Sequence, residues 1–149
     1  MKLSPHFTLE EACKSQVALR LGIDNSAPPP AIARMRLVAE RILEPVRNRY
    51  SVPIVPSSWF RCPALNEAIG SKNNSQHTTG DAVDFEVPGQ ANPDVARWIS
   101  DNLDWDQMIL EFFREGDPYS GWIHCSYVGA GNRRQILRYN GKRYQEGLA

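Results

Sequence analysis

Ser75-Gln76-His77-Thr78-Thr79-Gly80-Asp81-Ala82-Val83-Asp84 is the stretch from which the fold of this chain is best read. Its first half is polar and turns at Gly80. Its second half enters an apolar run reaching residue 87, as expected of a loop that delivers the chain into a strand. Strand side chains alternate between faces, so Ala82 and Asp84 share one face, and the small Ala82 leaves room beside the carboxylate. Further β-like runs lie at 52–56, 107–113, 122–128 and 135–139. Asn140-Gly141 is a two-residue hairpin signal that predicts 142–145 folding back onto the last of them. Helical stretches are expected at 63–69 and 93–102, the second with Asn92 as its cap and Pro93 at its first position.

Upstream of residue 50 the texture is helical. Thr8-Leu9-Glu10-Glu11 has the form of a capping box, predicting a helix from Leu9 that stops before Gly22. After the breaker-rich 24–30, Ile32, Met35, Val38, Ile42, Leu43 and Val46 recur at three- and four-residue steps, giving an amphipathic core helix kinked at Pro45. Helices first and strands later predict an α+β fold, with helices of the N-terminal third packed on an antiparallel sheet in one domain, 1–149.

Composition bounds the function. The 149 residues carry 17 basic and 17 acidic side chains, a balance that argues against nucleic acid as the main partner. No apolar run approaches the roughly 18–20 residues needed to cross a bilayer, and the N-terminus lacks an apolar signal core. Cytoplasmic synthesis without a signal peptide is therefore expected. Cys13, Cys62 and Cys125 are odd in number and form no CxxC pair, so they read as free thiols.

Two of the three histidines stand in unusual company: His77 in the opening stretch, and His124 in Gly121-Trp122-Ile123-His124-Cys125-Ser126. A catalytic zinc ion takes three protein ligands and keeps one position for water, and His77, Asp84 and His124 would supply that set. Spacing alone equally fits a surface-loop histidine and an aspartate ending a strand.

Three separated motifs occur in one order: Ser58-Trp59-Phe60-Arg61-Cys62-Pro63-Ala64-Leu65-Asn66, then Ser-x-His-x-x-Gly-x-Ala-x-Asp at 75–84, then Trp122-Ile123-His124. Together they resemble the zinc D-Ala-D-Ala carboxypeptidase and L-Ala-D-Glu endopeptidase family of peptidoglycan peptidases, with the hedgehog/DD-peptidase fold. The resemblance covers 52–128, and Phe7-Thr8-Leu9-Glu10-Glu11 is similar to the starts of phage and prophage members. It implies one zinc ion on His77, Asp84 and His124. It implies that Arg61 faces the substrate, stabilising an oxyanion or holding a carboxylate, and that Ser75 binds substrate or steadies the His77 loop. Trp122 would wall the substrate groove.

The chain departs from the family at the general base. An acidic residue is common three positions before the last histidine, and here that position is Gly121. Glu111, alone in the apolar run 108–113, is the candidate, because a carboxylate there is costly unless paired or near a metal. If residue 113 lies opposite 122 in an antiparallel hairpin, Glu111 falls opposite His124. Asp117 and Glu115, in the connecting loop, are the other possibilities. The expected chemistry is metal-assisted amide hydrolysis, with Glu111 taking the proton of water and returning it to the leaving amine. The expected setting is a monomeric phage-type endolysin that meets the peptidoglycan stem peptide after another protein opens the membrane. The alternatives are a non-catalytic zinc-bearing wall-binding or virion module, and an intracellular dipeptidase acting on wall fragments.

Overall fold

The computed structural model describes residues 1–148. A short antiparallel pair, β1 (Lys2–Ser4) and β2 (Phe7–Thr8), leads into α1 (Leu9–Cys13). The capping box forms as read: Thr8 Oγ1 accepts from the Glu11 N–H (3.2 Å), and the Glu11 carboxylate accepts from the Thr8 N–H (2.9 Å). The helix does not run on to Gly22. It ends at Cys13, and α2 (Gln16–Leu21) starts afresh because the Ser15 hydroxyl accepts from the Ala18 N–H at 3.1 Å.

The long core helix is three segments: α3 (Pro29–Val38), a π-helical turn (Ala39–Leu43) and α4 (Glu44–Tyr50). The irregularity expected at Pro45 is taken up one turn earlier. Pro45 has no N–H, and its ring crowds the carbonyl four residues back, so the wider turn before it absorbs the misfit. Met35, Val38, Ile42, Leu43 and Val46 stay fully buried through all three segments, while Ile32 is half-buried.

Beyond it come α5 (Pro63–Ala68), β3 (Ala82–Phe85), α6 (Asn92–Asn102), β4 (Gln107–Glu111), β5 (Trp122–Ser126), β6 (Gln135–Tyr139) and β7 (Tyr144–Glu146). The sheet order is β3-β5-β4-β6-β7, antiparallel except that β6 lies parallel to β4. After β5 the chain crosses the start of β4 to reach its other edge. Buried Asp106 pins that crossover by accepting from the Arg133 backbone N–H (2.8 Å) and from its guanidinium (2.9 Å).

Three local readings are corrected. No strand forms at 52–56, where Pro53 and Pro56 cannot donate to a ladder; pairing starts only at Ser58, bridged to Asp84. Ala91, not Asn92, is the cap of α6. The Asn92 amide turns inward and donates to the Ser120 and Gly121 carbonyls at 3.1 and 3.2 Å. The C-terminal hairpin pairs Tyr139 with Tyr144, so its loop is longer than two residues, and Asn140 Oδ1 accepts from the N–H groups of Lys142 and Arg143.

Alternation along the strands sorts the sheet into two faces. Val83, Phe85, Met108, Leu110, Ile123 and Cys125 are buried among the helices, where each large side chain contributes about 1.5–3 kcal/mol. Burial also pushes the Cys125 thiol pKa up, in keeping with a free cysteine that serves the core. The opposite face carries Asp84, His124, Trp122, Ile109 and Glu111.

Candidate metal centre

The β3–β5 register sets Asp84 directly opposite His124. His124 Nδ1 lies 2.9 Å from Asp84 Oδ1. His77 comes from the loop before β3, and its Nε2 lies 3.2 Å from the same oxygen. That loop is folded back by the Asp81 and Ala82 N–H groups, both of which donate to the Gln76 carbonyl. Gly80, at φ +86°, lies so close to α3 that a Cβ there would stand 2.7 Å from the Ala31 carbonyl oxygen; only glycine allows this approach.

His77 Nδ1 meets the Trp59 carbonyl oxygen at 2.6 Å, which fixes the proton on Nδ1 and leaves the Nε2 lone pair facing the centre. Burial pushes the His77 pKa down, against the pull of Asp84, and keeps the ring neutral. Burial would push the Asp84 carboxyl up, but the two imidazoles beside it outweigh burial and hold it well below the usual carboxylate range.

The donor set fits a zinc ion. One atom from each of His77, Asp84 and His124 lies within 4.8 Å of the others, and all three residues are buried. Ligands about 2.0–2.2 Å from a tetrahedral ion sit roughly 3.3–3.5 Å apart, close to the spacings found here. A neutral imidazole and an ionised carboxylate are the forms a metal requires.

Arg61 is brought in by the Ser58 bridge and by its own N–H, which donates to the His77 carbonyl at 3.1 Å. Its Nη2 stands 3.7 Å from Asp84 Oδ2, while Nε donates to Ser58 Oγ (3.2 Å) and Nη1 to Asn66 Oδ1 (3.3 Å). Ser58 and Asn66 are the ends of the first motif, and holding the guanidinium is work that the motif alone did not assign to them. Ser75 Oγ accepts from the His77 N–H at 3.3 Å, so it steadies the loop. Gln76 Nε2 donates to Asp106 at 2.8 Å, which ties the residue before His77 to the crossover of β6. The orienting Trp59 carbonyl is a backbone group and has no sequence signal.

The expected register of β4 against β5 is corrected by two residues. Ile109, not Glu111, lies opposite His124, and Glu111 lies opposite Trp122. A two-residue shift preserves the face. Glu111 therefore still lines the cleft of about 760 Å³ that holds His77, Asp84, His124 and Arg61. Burial pushes its pKa up, and the Asp84 carboxylate adds to the rise, against the pull of His124 and Arg61. Asp117 pairs with Arg114 at 2.6 Å and Glu115 reaches Arg138 at 3.5 Å, and neither lines the cleft.

Gly121 has a steric reason to lack a side chain. At φ +64°, its Cβ would fall 1.7 Å from the Glu111 carbonyl oxygen. The backbone that carries Glu111 thus fills the space an acidic residue at 121 would need.

A carboxylate flanked by two imidazoles in an α+β fold, with a further carboxylate and a guanidinium in the same cleft, is a site of the kind a zinc metallopeptidase uses. The family model described as Peptidase M15 matches residues 5–126, and the chain belongs to that family, zinc-dependent peptidases of the D-Ala-D-Ala carboxypeptidase type that act on peptidoglycan-type substrates. Comparison with curated proteins gives no match.

Proposed function

We propose that this protein hydrolyses an internal amide bond of the peptidoglycan stem peptide, the L-Ala–D-Glu bond in preference to a terminal D-Ala–D-Ala bond. The observation that carries this reading is the position of His77, Asp84 and His124 along the groove. The 760 Å³ cleft adjoins a second cavity of about 450 Å³ across Arg61, Asp84 and Trp122. A chain can therefore continue on both sides of the reacting bond, which an enzyme trimming a terminal residue does not need. The second cavity is lined by Lys14 as well as Val17, Phe60, Leu65 and Ile69, which suits the glutamyl side of the bond and leaves the alanyl side to the larger cleft.

A zinc ion on this set supplies Lewis acidity toward the scissile carbonyl and lowers the pKa of water toward about 7. Glu111 is the general base: its carboxylate takes the proton of the attacking water and returns it to the departing amine. Arg61, held by Ser58 and Asn66, directs positive charge at the oxygen where negative charge develops. Trp122 walls both cavities and orients the peptide between them. The non-catalytic alternative drew on the missing acid at 121, and crowding by Glu111 accounts for that glycine without loss of a base.

Glu111→Gln tests the reading. The variant should bind zinc as the unmutated protein does and lose about 10²–10⁴-fold in hydrolysis of purified sacculi. Undiminished hydrolysis would remove Glu111 from the mechanism, and an unmutated protein without activity on several wall chemotypes would make the domain a binding module. Mass spectrometry of the products assigns the bond. The expected setting, phage-type lysis by a monomer released to the wall, belongs to the same proposal; it requires that expression lyse cells only when a membrane-opening protein is made with it.

A further inference from the structure

The sheet face that carries the metal centre continues into a row of aromatic rings of which the hydrolytic mechanism uses Trp122 alone. Trp122 stacks on Phe112, with centroids 5.3 Å apart and planes inclined at 30°. Phe112 meets Tyr139 edge-on at 5.3 Å, and Tyr139 stacks on Tyr144 at 4.4 Å and 25°. Trp122 and Tyr144 both line the cleft. Phe112 is 48% exposed and Tyr144 56% exposed, so the row presents its rings to solvent and is no part of the core.

Two features show that this exposure is built in. Phe112 follows Glu111 at φ +50°, in the left-handed region that a bulky residue enters at a cost of about 1–3 kcal/mol. Phe113 is buried, so this backbone turn sends one of the two phenylalanines outward. Tyr139 and Tyr144 belong to the β6–β7 hairpin, which lies beyond the residues 5–126 matched by the family. The hairpin lengthens the platform where the peptide cleft ends.

We propose that Trp122, Phe112, Tyr139 and Tyr144 form an apolar aromatic ridge against which the C–H faces of the pyranose rings of the glycan strand pack. This rests on the reading of the substrate as peptidoglycan. The stem peptide, built of alanine, glutamate and a diamino acid, has no ring and no broad apolar face to match a row of rings. A pyranose does: its C–H faces are apolar while its edges are polar, the complement of aromatic rings set on a half-exposed sheet. The first alanine of the stem is joined to the muramyl lactate, so cleavage after it leaves the sugar within about two residues, or roughly 7 Å, of the reacting bond. Trp122 stands beside that bond and begins the row.

The test uses the zinc-loaded full chain with two substrates, the free stem peptide and the same peptide attached to its disaccharide. Phe112→Ala and Tyr144→Ala should each lower kcat/KM severalfold more on the disaccharide-linked peptide than on the free peptide, and Tyr144→Phe, which keeps the ring, should restore it. A binding arm titrates peptide-free N-acetylglucosamine–N-acetylmuramic acid oligomers and follows tryptophan fluorescence. Saturable binding weakened by both alanine variants, and not by Tyr119→Ala on an exposed tyrosine outside the row and the cleft, supports the platform. Equal losses on both substrates, or no saccharide binding by the unmutated protein, overturn it. Saccharide binding by a protein that cleaves neither substrate would defeat the peptidase reading and leave the platform standing.

Discussion

Glu111 and Gly121 exchange space across the end of the β4–β5 hairpin. Because the Glu111 carbonyl oxygen occupies the place of a Cβ at 121, the two positions cannot both carry what the family pattern and this chain would ask of them. Gly121→Glu, which restores the common acidic residue, is expected to lose the fold and gain no activity. Gly121→Ala isolates the steric part: left-handed backbone at a non-glycine residue costs about 1–3 kcal/mol, and forcing a methyl group into a filled space costs a similar further amount. Thermal unfolding of Gly121→Ala measures it, and an unchanged midpoint would show that the hairpin relaxes freely. The convergence of His77, Asp84 and His124 was legible from three motifs in order. The place of Glu111 in the cleft was legible from its cost inside an apolar run, although its cross-strand partner was not.

The elements were readable wherever a local rule decides them. Thr8 and Glu11 close a capping box within four residues, and 135–139 forms a strand with the predicted bounds. The failures occur where a distant segment decides. Asn92 has the side chain of a cap, yet it serves the Ser120–Gly121 turn, and the parallel pairing of β6 with β4 depends on Arg133 reaching Asp106. The β1–β2 pair shows the same dependence on distant partners. Ser4 Oγ donates to Glu44 at 2.5 Å, the His6 N–H donates at 2.8 Å, and His6 Nδ1 lies 2.6 Å away. Burial pushes the Glu44 carboxyl up, but these hydrogen bonds outweigh it and hold the pKa below the usual glutamate value. The folded chain thus takes up that proton less readily than the unfolded one. The stabilisation is complete above the ordinary value of about 4.3 and is lost as pH falls through the lower folded value. Glu44→Gln should cost about 1–2 kcal/mol at pH 7, after discounting for partial exposure. Its melting temperature should fall less steeply with acid, and parallel melting curves for the two proteins would contradict this.

At the scale of the whole molecule, His77, Asp84 and His124 come from the loop before β3, from β3 and from β5, so an ion held by them would belong to the folded state alone. A ligand that binds only the native state adds RT ln(1 + [L]/Kd), about 2.7 kcal/mol at a hundredfold excess over Kd. For a chain of this size that corresponds to roughly 5–10 °C. Chelation should remove that increment, and His124→Ala should melt at the same temperature with and without zinc; a zinc-dependent shift in His124→Ala would place the ion elsewhere. No helix is long and apolar enough to cross a membrane among the described residues.

Asp84 and His124 meet across a single rung of one ladder. Sliding either strand by one step turns its ligand toward the helices, and sliding by two separates the pair along the strands. Zinc held by this pair would therefore proofread the pairing: misaligned chains would forfeit the chelate and remain free to reopen, while the correctly matched chain would be retained. Refolding in zinc should enrich that form even at temperatures where the bare polypeptide samples several alignments.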